Sequence, residues 1–478
     1  MTQLDAVVVG SGPNGLAAAV ELARAGRGVR VIEARDEPGG GTRTGELTLP
    51  GFWHDECSAV HPLGILSPYF RRLPLAEHGL EWLKLDASVA HPLDGRPAVV
   101  LYRSFERTAE RLDAADARVW RRLLEPFVEH GHELLEDVLG PVTRWPRRPL
   151  GMARFGWYGM RPLTLLARRF AGARARALLA GCAAHSVLPL THLATGAVAL
   201  MFAVTAHLEE WPCARGGSRS ISAALASYLR SLGGEIELGR PVASLAELPA
   251  SRVVLFDLSP AVLVKIAGDA LPRRYVRRLE RFRYGPATFK VDWALDGPIP
   301  WTDPEIARAT TVHVGGTLAA IARSERDAWT GRHAERPFLI LCQQSHADPS
   351  RAPAGKHTGY AYCHLPAGSD VDMTGRIEAQ IERFAPGFRD LILARHTTSP
   401  RELEAGNPNY VGGAITGGSA EIGQLFTRPV ARLDPYATPN PRLFICSAST
   451  PPGGGVHGMC GYHAARSAIR RLAGEDRR

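Results

Sequence analysis

Three glycines, Gly10, Gly12 and Gly15, with Pro13 and Asn14 between them, and a carboxylate at Glu33 form the pattern with the clearest chemistry in this chain. In a Gly-x-Gly-x-x-Gly turn the first glycine permits the tight bend. The second lets a pyrophosphate reach bare backbone, and the third lets the following helix pack close on its strand. The free N–H groups and the positive end of the helix dipole then face the phosphates. Glu33 stands eighteen residues after Gly15, where an acid is expected to accept a ribose hydroxyl. The chemistry is therefore dinucleotide binding. It requires a strand before the glycines, a helix after them and a second strand ending at the acid. Ala6-Val-Val-Val9, the alanine-rich run from Leu16 and Val29-Arg-Val-Ile32 supply those elements in that order.

The next stretch, Glu33-Ala34-Arg35-Asp-Glu-Pro-Gly39-Gly40-Gly41-Thr42-Arg43-Thr44, resembles the second signature of flavoproteins built like phytoene desaturase and the amine oxidases. The resemblance implies FAD as cofactor, with Ala34, Arg35, Gly40, Gly41 and Thr42 along its diphosphate and ribityl chain. Further motifs extend the likeness over most of the chain: His54-Asp-Glu-Cys-Ser-Ala-Val-His61-Pro, Pro408-Asn-Tyr-Val-Gly-Gly413 and Pro451-Pro-Gly-Gly-Gly-Val-His457-Gly-Met. Together they are similar to the phytoene desaturase-like superfamily. The nearest branch is that of pyridine nucleotide-disulfide oxidoreductase domain-containing protein 2, related to carotenoid isomerases and retinol saturases.

The fold this likeness implies is α/β, a discontinuous Rossmann-like FAD-binding domain of the glutathione reductase and amine oxidase type with an inserted α+β substrate domain. The expected boundaries are 1–60, 213–285 and 425–478 for the FAD-binding domain, and 61–212 and 286–424 for the substrate or lid domain. The strand expected over 233–245 places the backbone of Val242 against adenine. A second glycine cluster, with Ser447, Ala448, Gly455 and Val456, is expected to bring a helix N-terminus to the flavin ring, as any helix end stabilises an anion. Ser447-Ala448 stands where many flavoproteins carry Gly-Asp, so backbone contacts are expected to replace that acid. Ala414 likewise stands where relatives of the Asn-Tyr-Val-Gly-Gly loop carry an acid. His61 and His457 are the candidate catalytic groups, as proton donors or substrate contacts, and a structural tie to backbone is the alternative for each.

Composition narrows the classes. At 478 residues, 45% hydrophobic and 22% charged, the chain is globular and large enough for two domains. Seven scattered cysteines with no Cys-x-x-Cys pair argue against a disulfide framework, a zinc site and a dithiol reductase, and point to a reducing cytoplasm. No metal site is expected, and no leader is expected at the amino terminus.

The net charge of +9 is local: residues 144–176 contain nine arginines and no acid. No nucleic-acid module accompanies them. Interleaved Trp145, Phe155, Trp157 and Tyr158 raise instead a peripheral membrane contact, with a solvated lid or an oligomer interface as the alternative. Residues 177–208 lack Asp, Glu, Lys and Arg, but Pro189 and three histidines interrupt them, so two buried helices walling an apolar cavity are expected rather than a membrane span.

The activity these readings imply is hydride transfer between FAD and a C–C or C–N bond of an apolar, polyene or lipid-like substrate, with oxygen or a quinone-like molecule as electron acceptor. The alternatives are a redox-neutral double-bond isomerase using FAD and a non-catalytic interaction protein stabilised by flavin. Anaerobic mixing with substrate separates the first two, since only dehydrogenation changes the redox state of the flavin.

Overall fold

The chain builds two sheets and a helical layer, seen in a computed structural model that describes residues 4–141 and 143–477. Residues 1–3, the start of the stretch in which no leader is expected, lie outside the described residues.

The first sheet is wholly parallel, in the order Leu443–Ile445, Ser251–Phe256, Leu4–Val9, Val29–Ile32, Glu235–Glu237. Its central strands are β-branched and buried on both faces, as parallel strands covered by helices must be. On one face lie the helices Pro13–Arg24, Arg219–Ser231 and Met459–Asp476. On the other lie Pro260–Ala267 and Arg273–Glu280. The first and last of the helices on the former face touch closely. A Cβ on Gly461 would stand 1.8 Å from the carbonyl oxygen of Asn14, so glycine is required at that crossing. Strands from three separated parts of the chain share this sheet, which is the discontinuous Rossmann-like arrangement.

The second sheet has seven strands, in the order Ile392–Thr398, Ala287–Leu295, His357–Leu365, Leu339–Cys342, Ala309–Val314, Ala87–Leu93, Arg96–Leu101. All pairs are antiparallel except Ala309–Val314 with Ala87–Leu93. The period of two along each strand makes this sheet two-faced. Val291, Trp293, Val312, Leu341 and Ala361 pack with Ile377 and Ile381 of the helix Thr374–Glu382. The opposite set, which includes Lys290, Asp292, Thr311, His313, Tyr360 and Tyr362, turns toward the rest of the molecule.

Residues 105–140 form three helices, Phe105–Glu110, Ala114–Val128 and Gly131–Val138. The uncharged run is divided as expected into Ala173–Ala184 and Thr195–Leu208, with Val187 and Ala194 at positive φ in the break. Both helices are largely buried, and among the described residues no helix is long and apolar enough to cross a membrane.

One expected strand is shorter than its sequence reads. Pairing stops at Glu237, because Gly239 turns at φ 66° and Pro241 follows. Gly239 N–H then donates to the Arg35 carbonyl and Arg240 N–H to that of Glu33, both at 2.8 Å, so Val242 lies in irregular chain rather than in the strand.

Candidate functional site

The turn after Leu4–Val9 is shaped by contacts that only glycine allows. A Cβ on Gly15 would lie 2.1 Å from the Gly10 carbonyl oxygen, and one on Gly40 would lie 2.9 Å from the Gly12 Cα. The two glycine runs thus touch, and the second closes one side of the cradle made by the first. Glu33 organises the turn: its carboxylate accepts from Ser11 N–H at 2.8 Å, from Ser11 Oγ at 2.6 Å and from Arg35 N–H at 3.0 Å. Thr42 Oγ1 donates to the Gly39 carbonyl at 2.7 Å, and Tyr410 OH lies directly over Gly41.

Asp257, which sequence reasoning missed, sits at the same turn. Its carboxylate accepts the Gly15 N–H at 2.9 Å, on the N-terminal turn of the first helix. Burial, with Glu33 nearby, pushes its pKa up to about 7, despite the Gly15 and Gly12 donors.

A single cavity of about 940 Å³ begins at this cradle and runs along the second glycine cluster to the helical layer. Gly10, Gly12, Pro13, Asn14, Glu33, Ala34, Arg35, Gly40, Gly41 and Thr42 line it, as do Val242, Ser447, Ala448, Gly455 and Val456. Gly15 stands just behind the wall, its N–H held by Asp257. The far wall is apolar and includes Met152, Phe155, Leu188, Val198, Met201 and Phe202.

At the second cluster Arg428 is buried, lines the cavity and faces no acid among the described residues. It donates to the carbonyls of Gly417 and Ala448 at 2.9 Å and of Ser449 at 3.3 Å, so it fastens the two loops that meet there. Burial brings its pKa down to about 10, which still leaves a cation in the wall at neutral pH. Nothing in its local sequence marks this role.

The two candidate histidines differ in place. His61 is in the cavity wall, and its Nε2 is buried without a partner. Burial, only partly offset by Asp55, takes its pKa down to about 4, so it is a neutral hydrogen-bonding group rather than a proton store at pH 7. His457 lies behind the wall. Its Nδ1 accepts the Met459 N–H at 3.0 Å and so caps the last helix, and its carbonyl accepts Ser67 Oγ at 2.6 Å. Burial takes its pKa to about 4 also.

Beneath the site a buried ionic group ties the second sheet to residues 54–58. Arg351 pairs with Asp55, and Lys290 pairs with Asp292 and donates to the Asp55 carbonyl at 2.8 Å. Asp55 also accepts from Ser218 N–H at 2.8 Å and from Thr44 Oγ1 at 2.7 Å. Although burial alone would raise the Asp55 pKa, these partners outweigh it and hold the carboxyl below its usual range.

All seven cysteines are free, and among the described residues no cluster of ligating side chains could hold a metal ion. In the arginine-rich segment Arg144, Arg147 and Arg148 pair with Asp137, Glu136 and Glu133. Trp145, Leu150 and Trp157 nevertheless stay 66–88% exposed.

The residues present fit a long dinucleotide. Two backbone cradles that tolerate no Cβ, a carboxylate at the first strand end and a cavity near the upper size of ligand pockets all lie on one continuous surface.

Comparison with known proteins agrees. Residues 8–73 match the model of the NAD(P)-binding Rossmann-like domain. The chain is 28% identical to pyridine nucleotide-disulfide oxidoreductase domain-containing protein 2 of Rattus norvegicus, over 98% of this chain and 94% of that protein. It is 28% identical to all-trans-zeta-carotene desaturase of Myxococcus xanthus, over 79% of this chain and 75% of that one. Among solved structures, an oxidoreductase from Methanosarcina mazei superposes with a TM-score of 0.68 at 16% identity, covering 98% of this chain and all of that one. Wild-type putrescine oxidase bound to putrescine gives 0.61 at 19% identity, covering 100% and 99%. These structures share the fold. By its sequence relatives and its fold, the chain is similar to the phytoene desaturase-like oxidoreductases.

Proposed function

We propose that this protein is an FAD-dependent oxidoreductase acting on a C–C or C–N bond of an apolar substrate. The observation that carries the reading is the continuity of one cavity, glycine-walled at one end and apolar at the other. Bound there, FAD would supply the hydride acceptor or donor, which the side chains of this site do not.

The remaining tasks fall to the chain. The Gly10 to Gly15 turn and the first helix bind the diphosphate, and Glu33 accepts from the adenosine ribose. Arg428 and the N-terminus of the last helix place positive potential at the second cluster, where negative charge is expected to develop. His61 offers one neutral imidazole nitrogen for orienting substrate. The apolar helical wall excludes water and orients a hydrocarbon-rich molecule beside the ring. Exposed Trp145 and Trp157, close in sequence to wall residues Pro146 and Phe155, support delivery of that molecule from a lipid surface.

The test is direct. Purified protein should carry a flavin absorption spectrum, and extraction should release an apolar molecule identifiable by mass spectrometry. Anaerobic addition of that molecule should bleach or restore the flavin. Turnover with no net change in the flavin would instead favour double-bond isomerisation. Protein that neither carries nor takes up FAD would end the proposal.

A further inference from the structure

The polar face of the seven-stranded sheet meets the helical wall of the cavity at a pair of histidines. His185 follows the helix Ala173–Ala184 and lines the cavity, and His313 lies on the strand Ala309–Val314. Their Nε2 atoms are 2.9 Å apart, so one ring donates to the other. Thr311 lies two residues from His313 on the same face, and Tyr362 stands opposite Ile340 on the strand beyond. Thr311, Tyr362 and Ser186 also line the cavity. The hydroxyls of Ser186 and Thr311 are buried and have no hydrogen-bond partner, although these residues are only 6% and 2% exposed. Unpartnered polar groups in a cavity wall otherwise apolar require an occupant that satisfies them.

The bond between the histidines fixes which kind of group that is. Burial takes the His185 pKa down to about 3 and that of His313 well below its usual value, so each ring carries one proton. His313 Nδ1 is buried without a partner and packs against Gly181, where a Cβ would come within 2.4 Å of it. A proton on that nitrogen would be an orphaned buried N–H, which folded proteins avoid more strongly than a bare acceptor. The proton of His313 therefore sits on Nε2 and is donated to His185 Nε2. That leaves the proton of His185 on Nδ1, which makes no bond to any described residue. His185 is half-buried at the cavity wall, and this N–H is available to a ligand. The neighbouring hydroxyls can each donate as well.

We infer that the cavity takes an apolar molecule bearing a neutral oxygen, a carbonyl or hydroxyl, which accepts a hydrogen bond from His185 Nδ1–H beside Ser186 and Thr311. The inference rests on the proposed function only in taking this cavity as the substrate site. A carboxylate is disfavoured, because the donors at this point are neutral and burying a charge without a counter-charge is costly. A pure hydrocarbon would leave the donors unsatisfied.

Binding of 2-undecanone, undecane and undecanoate to the purified protein, followed by quenching of intrinsic tryptophan fluorescence, tests this. Flavin content is recorded separately from the absorption spectrum. The ketone is expected to bind about tenfold more tightly than either other probe, as one satisfied buried donor would give. His185→Phe, which keeps a ring of similar shape, should abolish the preference, and His185→Gln, which restores an N–H, should recover part of it. Should His185→Phe not fold, Ser186→Ala and Thr311→Val each remove a single hydroxyl and should reduce the preference severalfold. Equal binding of ketone and hydrocarbon by the unaltered protein, tighter binding of undecanoate, or a preference untouched by all these substitutions would overturn the inference. Absence of flavin from a protein that still prefers the ketone would instead refute the proposed redox function alone.

Discussion

Replacing Asp257 by asparagine isolates one carboxyl at the N-terminal end of the first helix. Its pKa rises from 3.8 to about 7, chiefly through burial. A carboxyl whose folded value exceeds its unfolded value contributes stability that is fully present below the unfolded value and is lost as pH rises through the folded one. The window here runs from about pH 4 to pH 7. Each pH unit in that window is worth ~1.4 kcal/mol. The full interval is therefore about 4 kcal/mol for a wholly dry group, and solvent screening of a half-buried one reduces this to about 2 kcal/mol. Urea denaturation of the cofactor-stripped protein at pH 5 and pH 8 measures it. These two conditions span about two units of the window, so after the same screening the unaltered chain should lose about 1 kcal/mol more than Asp257→Asn. Above pH 7 the ionised group would also stand beside the diphosphate proposed to lie there, so Asp257→Asn should hold FAD more tightly at pH 8. Parallel stability curves for the two proteins from pH 5 to pH 8 would refute the reasoning.

Three further outcomes are expected. Arg351→Met leaves Asp55 buried without its main counter-charge, and should lower stability by ~3–5 kcal/mol in urea titration. Because the Asp55 pKa is depressed, that pair's contribution in the unaltered chain is present at neutral pH and is lost as pH falls below about 4. Gly461→Ala drives a Cβ into the Asn14 carbonyl and should lower the melting temperature by the equivalent of ~1–3 kcal/mol; an unchanged melting temperature would contradict the close helix contact. Flotation with vesicles of anionic lipid should recover the unaltered protein at low salt and lose it with Trp145→Ser and Trp157→Ser together. A protein that never floats would leave these exposed side chains without a lipid partner.

What the sequence disclosed was local. The cradle at Gly10 to Gly15 is legible because each glycine answers a contact within a few residues or in the adjoining strand. The strand Ile392–Thr398 went unread: it is a half-exposed edge whose apolar residues end at Ala394 and give way to Arg395 and His396. The end of the strand at Glu237 depended on backbone bonds to Glu33 and Arg35, some two hundred residues earlier. The same holds for partnerships made at long range. Asp55 meets Arg351 across 296 residues, and His185 meets His313 across 128. Arg428 is held by carbonyls, which any residue type supplies, so nothing in the sequence distinguishes it.

The sharing of one sheet by Leu4–Val9 and Leu443–Ile445 has a consequence for biosynthesis. A nascent chain exposes its phosphate turn almost at once, but the strand and helix that complete the neighbouring wall emerge hundreds of residues later. The FAD we propose would therefore find no finished berth while translation proceeds through the intervening segments. Its uptake would belong to the end of synthesis, and until then the early helix must wait with its apolar face shielded by provisional contacts or a chaperone.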